Sequence, residues 1–410
     1  RNLSSITYPD GQKDQIQYLS VHYSMPEWIV KQWINDYGME RTVSVLQAFL
    51  QEAPVTIRTN LLKITPEALE MRLKEEGVTT EKIVCADMPE LNYAFMISGF
   101  DHLNALESFR EGLFYVQDVS SMMVAETVDP VKDSYIMDVC AAPGGKSVHL
   151  AEKLGGTGMV EARDLTDYKT DLIRQNIARH QLSNMRAVQM DATALDEASI
   201  RKADVVIADL PCSGLGVMRR KTDIKYKMTL QAEQELVSLQ RKMLETVCQY
   251  VKVGGTLLYS TCTMDKMENE DNIRDFLDRH SDFELVKIFD YEGFVRAYGM
   301  NEAVRLFPHH LKGEGHFVAL LHKKGTLSEN LKCNGLKTLK LPDEITDFIK
   351  ELSCDIDTDS IRIINDKVYI MPPMIDNLNG IRTLRTAITS TIFSEKMKSG
   401  YGRSPHKESV

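Results

Sequence analysis

The chain has 410 residues, 43% of them hydrophobic and 26% charged, and a formal net charge of -10. These values are typical of a globular protein with a large core, and the acidic balance argues against a general polyanion binder. The sequence lacks a run of about 18 apolar residues, so a membrane span is not expected.

The length favours two or three domains, and residues 1–54 are predicted to be an N-terminal helical segment. Pro26 occupies a suitable helix start, and the apolar residues that follow it fall on one helical face. They are Trp28, Ile29, Trp33, Ile34 and Tyr37. This pattern predicts core packing for both tryptophans.

Residues 55–116 have the pattern of a small, RNA-binding-like α+β module. Thr56–Asn60 is predicted to be a strand, and a helix is expected to open at Pro66. Further short strands are predicted near Val84 and at Phe114–Tyr115.

Residues 117–325 alternate apolar strands with helical stretches, which predicts βαβ units and a mostly parallel sheet. The predicted strands are Tyr135–Asp138, Gly158–Asp164, Met185–Asp191, Asp204–Asp209, Gly255–Ser260, Phe283–Val286 and Phe317–Lys323. The last two lack a long helix between them, so we expect them to pair antiparallel.

Residues 326–339 are polar and are interpreted as a linker, and residues 340–410 as a C-terminal extension that is cut short. A helix is predicted at Glu344–Leu352. The two runs Ile361–Ile364 and Val368–Ile370 flank a turn and predict a strand pair.

Three loops at predicted strand ends carry the candidate chemistry. The run Asp138–Ser147 contains a glycine-rich turn, whereas Cys212 and Cys262 each follow another strand. Ligands of open α/β sheets bind at the carboxyl ends of the strands. The pattern therefore predicts a nucleotide-like cofactor beside a thiolate nucleophile.

The glycine turn matches neither the P-loop nor the G-x-G-x-x-G pattern, which favours another nucleoside ligand. Asp164, Asp191 and Asp209 each end a strand, where carboxylates suit ribose hydroxyls and a base edge. A single such aspartate is often a helix cap, but three in succession favour a binding site.

Seven cysteines without paired C-x-x-C spacing indicate free thiols in a reducing cytoplasm. Cys262 precedes a predicted helix start at Glu268–Glu270, and helix N-termini lower thiol pKa values. With Asp209 and Cys212 nearby, the hypothesis is covalent attack on a heteroaromatic ring.

These motifs, in this order, resemble those of the Sun (Fmu) family of RNA cytosine-C5 methyltransferases across roughly residues 18 to 325. The resemblance rests on Tyr115–Ser121, Asp138–Ser147, Asp209–Gly216, and Tyr259–Thr263 with Glu268–Glu270. It implies an α/β fold, a seven-stranded, Rossmann-like S-adenosylmethionine-dependent methyltransferase sheet with small N- and C-terminal α+β modules.

The resemblance also implies roles for individual residues. Cys262 would attack C6 of cytosine, Asp209 would protonate or hydrogen-bond N3, and Cys212 would assist release of the adduct. The implied S-adenosylmethionine-binding residues are Cys140, Ala141, Ala142, Pro143, Gly144, Gly145, Lys146, Asp164, Asp191 and Asp209.

The implied partner is RNA, with 16S rRNA or the small ribosomal subunit favoured and a PUA-like role expected for residues 340–410. The expected RNA contacts are Arg219, Arg220, Lys221, Lys225 and Lys227. A tRNA methyltransferase and a ribosome-assembly RNA-binding factor remain alternatives. A metal site is not expected, because His309 and His310 would point to opposite faces of an extended strand.

Overall fold

The computed structural model describes residues 9–83, 89–291, 293–310 and 313–325, and the backbone of three short strands at 361–364, 367–370 and 388–389. The chain divides into two compact units, Arg1–Thr326 and Leu327–Val410. In the described part of the chain, the helices are all too short or too polar to cross a membrane.

Three helices open the first unit. They are α1 (Gln15–His22), α2 (Glu27–Tyr37) and α3 (Met39–Phe49). Pro26 precedes α2 directly, as predicted, and Trp33 is fully buried. These helices share one apolar cluster with Leu215, Met218 and Met264, so they support the loops that follow the central strands.

A four-stranded antiparallel sheet follows, in the order β2-β3-β1-β4. Its strands are β1 (Val55–Thr59), β2 (Thr79–Lys82), β3 (Ala94–Ser98) and β4 (Phe114–Val116). The same segment contains the helices α4 (Pro66–Glu75) and α5 (Glu107–Arg110). Thr65 caps α4 through its side chain, and Pro66 takes the first helical position as predicted. The strand predicted near Val84 is β2, which ends at Lys82, and Val84 itself lies outside the described residues.

The main sheet has nine strands in the order β11-β12-β13-β9-β8-β5-β6-β7, with β10 paired to β13. Its strands are β5 (Tyr135–Asp138), β6 (Met159–Asp164), β7 (Met185–Gln189), β8 (Ala203–Asp209), β9 (Val251–Thr261), β10 (Phe283–Val286), β11 (Phe294–Ala297), β12 (Met300–Leu306) and β13 (His316–Lys323). The seven predicted strands are all present, and β10 and β13 pair antiparallel as expected.

Helices lie along the part of the chain that contains the parallel strands β5 to β9. They are α6 (Val119–Val128), α7 (Gly145–Lys153), α8 (Asp167–His180), α9 (Ile224–Lys227), α10 (Leu230–Val247) and α11 (Glu270–Arg279). Of these, α7 joins β5 to β6, α8 joins β6 to β7, and α9 and α10 lie between β8 and β9. The chain runs from β5 outward to β7, returns to β8 beside β5, and continues to β9. This reversal of strand order places a ligand crevice at the carboxyl ends of β5 and β8.

The hairpin of β11 and β12 was not predicted from the sequence. Its segment carries charged residues among the apolar ones, and Arg305 is fully buried in β12. Arg305 donates to Glu270 at 2.6 Å and to the carbonyl oxygen of Met264 at 2.6 Å. A long-range ion pair, rather than an alternating pattern, therefore stabilises this part of the sheet.

Replacing Arg305 with methionine is expected to lower the free energy of unfolding by about 3–5 kcal/mol, because Glu270 is fully buried and would lose its cation. Urea denaturation measures this change. The matched control is Arg279→Met, since Arg279 is 40% exposed and its ion pair with Glu245 contributes at most about 1 kcal/mol. Equal losses for the two variants would contradict the argument.

The second unit contains a three-stranded antiparallel sheet of β14 (Ile361–Ile364), β15 (Lys367–Ile370) and β16 (Ile388–Thr389). The predicted strand pair is confirmed as β14 and β15. The predicted linker and the helix predicted at Glu344–Leu352 lie outside the described residues.

Candidate active site

Two thiols meet at the carboxyl ends of β8 and β9. These strands are parallel neighbours, with Asp209 opposite Ser260 in the register. Cys212 and Cys262 follow shortly after those two residues, and their Sγ atoms lie 3.3 Å apart. Parallel pairing thus brings together two cysteines that are far apart in the sequence.

The short contact makes the two thiols unequal. The hydrogen bond from Cys212 lowers the pKa of Cys262, while the same bond and burial raise the pKa of Cys212 well above its usual range. Cys262 is therefore the more acidic thiol of the pair, and Cys212 is the one that favours donating the hydrogen bond. Cys262 has the character of a nucleophile.

The helix start expected at Glu268–Glu270 is confirmed, since α11 begins at Glu270. Its effect on the pKa of Cys262 remains a prediction, and the charge of Glu268 raises that pKa. The hydrogen bond from Cys212 is the main cause of the lowered value.

Glu268 and Asn269 instead lock the two thiol loops together. The fully buried Glu268 carboxylate accepts from the Ser213 backbone N–H at 2.9 Å and from Gln240 at 2.8 Å. Asn269 accepts from the hydroxyl of Thr261 at 2.6 Å. These bonds hold the segments that carry both cysteines, and Gln240, on α10, was not singled out in the sequence.

Backbone packing fixes the position of Cys262 as well. The N–H of Gly216 donates to the Cys262 carbonyl at 2.9 Å, and the N–H of Gly315 donates to the Gly216 carbonyl at 2.9 Å. A Cβ atom on Gly216 would lie 2.3 Å from the Gly315 oxygen and 2.6 Å from the Cys262 oxygen. Only glycine fits at position 216.

Asp209 lies beside the thiols with both carboxylate oxygens occupied. Lys146 donates to Oδ2 at 2.7 Å, and Ser260 donates to Oδ1 at 2.7 Å. Burial raises the pKa of Asp209, but the charge of Lys146 and the hydrogen bonds from Lys146 and Ser260 hold it below its usual value. Asp209 is therefore an ionised hydrogen-bond acceptor. Its neighbours are Ser260, Lys146 and His316.

The glycine turn links β5 to α7. Gly144 has φ +107, in the left-handed region that favours glycine, and α7 begins at Gly145. The Ala142–Pro143 peptide bond is cis. Burial and neighbouring carboxylates raise the pKa of Cys140. Cys140 is thus a protonated packing residue under the turn, as its position in the sequence suggested.

Carboxylates next to this turn suit a nucleoside ligand. Asp164, at the end of β6, accepts from the Ala142 N–H at 2.9 Å and from Lys169 at 3.0 Å. Asp138 accepts from Ser147 at 2.5 Å, and its other oxygen is buried and lacks a hydrogen-bond partner within the described residues. Burial raises the pKa of Asp138 to about 7. The acceptors and the turn of small residues fit a ribose and its neighbouring groups.

Asp191 has a more local environment. Its carboxylate accepts from the backbone N–H and the hydroxyl of Thr193, both at 2.8 Å, and these bonds lower its pKa. This arrangement matches the capping role that the sequence left open, so Asp191 remains a prediction as a cofactor contact.

The predicted RNA contacts fall into two groups. Arg219 is buried and donates to the Gly313 carbonyl, and Arg220 contacts Glu314 and Asp118 at 3.3 and 3.5 Å. These two arginines hold the loop against residues 313–314, and their contact with RNA phosphate remains a prediction. The remaining candidates lie farther along the loop. They are Lys221, Lys225 and Lys227.

The environment of His309 and His310 also differs from the prediction. Both follow β12 in a turn rather than on an extended strand, and their ring centroids lie 4.1 Å apart. Burial and the neighbouring His310 lower the pKa of His309 to about 4. Among the described residues, a cluster of three or more potential metal ligands does not occur.

A mixed sheet whose parallel strands β5 to β9 carry a glycine turn after β5 and acidic strand ends is typical of the class of S-adenosylmethionine-dependent methyltransferases. The solved structure of a methyltransferase homolog protein from Pyrococcus horikoshii is similar, with a TM-score of 0.65 and 25% identity over 76% of this chain and 99% of that chain. The family model for 16S rRNA methyltransferase RsmB/F matches residues 125–322, and the ferredoxin-like domain of RsmF/B-like methyltransferases matches residues 25–89.

Two proteins of similar sequence support membership of this class. The probable ribosomal RNA small subunit methyltransferase B of Bacillus subtilis is 35% identical over 77% of this chain and 70% of that protein. The tRNA (cytosine(72)-C(5))-methyltransferase of Pyrococcus horikoshii is 34% identical over 70% of this chain and 74% of that protein. The chain belongs to the RsmB/F family of RNA methyltransferases, which is the family that the motifs resembled.

Proposed function

We propose that this protein transfers a methyl group from S-adenosylmethionine to C5 of a cytidine in RNA, with 16S rRNA as the favoured substrate. The observation that carries the proposal is the 3.3 Å contact between Cys212 and Cys262, which favours the thiolate at Cys262 beside the Asp209 carboxylate. The small-subunit methyltransferase B named among the relatives supports rRNA.

The proposed cofactor contacts are the turn from Cys140 to Lys146, with Asp164 and Asp191 at neighbouring strand ends. The Asp164 carboxylate would accept from ribose hydroxyls, and the left-handed Gly144 lets the backbone approach the ligand closely. When bound, S-adenosylmethionine supplies an electrophilic methyl group. Because active-site thiols must stay reduced, the proposal fits a reducing cytoplasm.

The first step is attack by Cys262 on C6 of the target cytosine. A sulfur electron pair forms the S–C6 bond, and the ring electrons shift toward C5 and N3. Once Cys262 is a thioether, its negative charge no longer raises the pKa of Cys212, so Cys212 can supply the proton that N3 takes up. Asp209, held by Lys146 and Ser260, accepts a hydrogen bond from the protonated ring edge.

The last step reverses the adduct after C5 has gained the methyl group. Cys212, now a thiolate, takes the proton from C5. The C5–H electron pair reforms the C5–C6 double bond, and the S–C6 bond breaks with its electrons returning to Cys262. Both cysteines regain their resting protonation, and the proton on N3 is the one that each turnover must release.

A base that is stacked inside a duplex cannot reach Cys212 and Cys262. The target cytidine must therefore be unpaired or flipped out of the helix. Lys221, Lys225 and Lys227 are the proposed phosphate contacts, since the side chain of Lys227 is 78% exposed. The second unit is proposed as an RNA-binding extension.

The experiment that tests the function is methyl transfer from labelled S-adenosylmethionine to purified 16S rRNA, 30S particles and total tRNA. Product nucleosides are analysed for 5-methylcytidine. We expect 5-methylcytidine in 16S rRNA or in 30S particles. Labelled methyl groups on other atoms, or on none of the three RNAs, would contradict the proposal.

Methylation of tRNA is the second candidate, and the tRNA (cytosine(72)-C(5))-methyltransferase among the relatives favours it. The same assay separates the two substrates, because 5-methylcytidine would then be found in tRNA alone. The chemistry assigned to Cys262 and Cys212 would be unchanged.

A further inference from the structure

His316 is a buried histidine that the proposed mechanism has not yet used. It opens β13, where its side chain is 4% exposed, and its Nε2 atom lies 3.8 Å from Asp209 Oδ1. Nε2 is buried and has no hydrogen-bond partner among the described residues. A buried nitrogen without a partner is costly unless it has a task, and here it faces the carboxylate proposed to hold the cytosine ring.

The other ring nitrogen of His316, Nδ1, contacts a serine hydroxyl. Nδ1 lies 3.4 Å from the Ser120 hydroxyl, which itself donates to Asp118 Oδ1 at 2.7 Å. Because the Ser120 proton points to Asp118, its oxygen lone pair is left to accept from an Nδ1–H. This direction assigns the Nδ1–H tautomer to His316 and leaves a free lone pair on Nε2, toward Asp209.

These three side chains form a line from the reaction centre toward the protein surface. Asp118 has a side-chain exposure of 13% and lies 3.5 Å from Arg220. Burial, together with the neighbouring Lys146, lowers the pKa of His316 to about 4. His316 is thus a neutral imidazole that can accept a proton on one nitrogen and pass one on from the other.

We propose that His316, Ser120 and Asp118 form the path by which the proton released in each turnover leaves Asp209. This inference rests on the function proposed above. The proton given up by N3 reaches Asp209 and moves to Nε2 of His316, Nδ1 gives its proton to Ser120, and Ser120 gives its own to Asp118. Asp209 is then ionised again and Asp118 holds the proton, which it releases to solvent. Exchange of the ring proton with water returns His316 to its Nδ1–H tautomer, so each turnover moves one proton and the charges balance. The 3.8 Å gap must close, and catalytic contacts often tighten when substrate binds.

His316 therefore acts on the reaction indirectly, through Asp209. In the His316→Ala variant, we expect kcat for methyl transfer to fall at least about tenfold with little change in KM for RNA. Added imidazole should restore part of kcat, because it can occupy the space that the side chain leaves. Ser120→Ala should change kcat in the same direction by a smaller factor.

The matched control is His322→Ala, since His322 lies on the same strand and pairs with Thr256, at the far end from Asp209. It should retain wild-type kcat. If His316→Ala keeps wild-type kcat, or loses kcat without any rescue by imidazole, the relay is wrong. Methyl transfer by the wild type separates this result from a failure of the proposed function.

A second measurement does not depend on activity. In ¹⁵N-histidine-labelled protein, the His316 signals should report a protonated Nδ1 and an unprotonated Nε2, and the Ser120→Ala variant should weaken this tautomer preference. A protonated Nε2 in the free protein would overturn the relay, because that nitrogen could not accept the departing proton. This test is decisive even when the RNA substrate is unknown.

Discussion

Replacing Cys262 with alanine is expected to lower the rate of methyl transfer by at least about 10⁴-fold, because the reaction then lacks its nucleophile. The hydrogen bond from Cys212 gives Cys262 its thiolate character, and an alanine methyl group cannot form the bond to C6. The initial rate with labelled S-adenosylmethionine and the RNA that the wild type methylates measures the effect.

Cys248→Ala is the matched control, because Cys248 is a buried cysteine next to the end of α10 and contacts the Glu245 carbonyl. It should keep wild-type activity. Calorimetric binding of S-adenosylmethionine should be similar in the wild type and Cys262→Ala, which shows that the fold is retained. A Cys262→Ala enzyme within tenfold of the wild type would rule out the covalent mechanism.

Replacing Cys212 with alanine is expected to trap a covalent complex of protein and RNA. Cys262 can still attack C6 when water supplies the N3 proton in place of Cys212. The thiolate that takes the C5 proton is missing, so turnover should fall by about 10²–10⁴-fold. The trapped species should survive denaturing gel electrophoresis. It should be lost in the double variant Cys212→Ala/Cys262→Ala, and an adduct that persists there would assign the nucleophile elsewhere.

The same variant tests the electrostatic coupling of the two thiols. The hydrogen bond from Cys212 lowers the pKa of Cys262, so its removal should raise that pKa. Because the thiolate is the reactive form, adduct formation should need a higher pH to reach half its maximal rate. Single-turnover adduct formation across the neutral and alkaline range measures this shift, and a profile displaced to lower pH would contradict the coupling.

Prediction from sequence was most accurate where a local pattern carries the information. The seven strands predicted for the central sheet have apolar runs bounded by turn residues, and each was found in the structure. The loops with Cys212, Cys262 and the glycine turn follow those strands directly. Parallel pairing then brings the loops to one edge, which is a general property of such sheets.

Other features depend on partners far away in the sequence. The hairpin of β11 and β12 has a mixed pattern, because the buried Arg305 is stabilised by Glu270 from α11. Arg219 and Arg220 were predicted to contact RNA from a basic loop. The structure shows that Glu314, which is distant in the sequence, pairs with both. Sequence spacing alone could not distinguish a solvated arginine from a buried one.

The sequence by itself determined the fold class, the chain order of the motifs and the two candidate cysteines, since each depends on residue types at short spacing. Only the tertiary structure decided how the two thiols affect each other, because the difference in their pKa values arises from a 3.3 Å contact across two strands. It also decided that His316 faces Asp209. Such contacts arise because β13 begins at the edge of the sheet where β8 and β9 end, and a linear pattern does not record them.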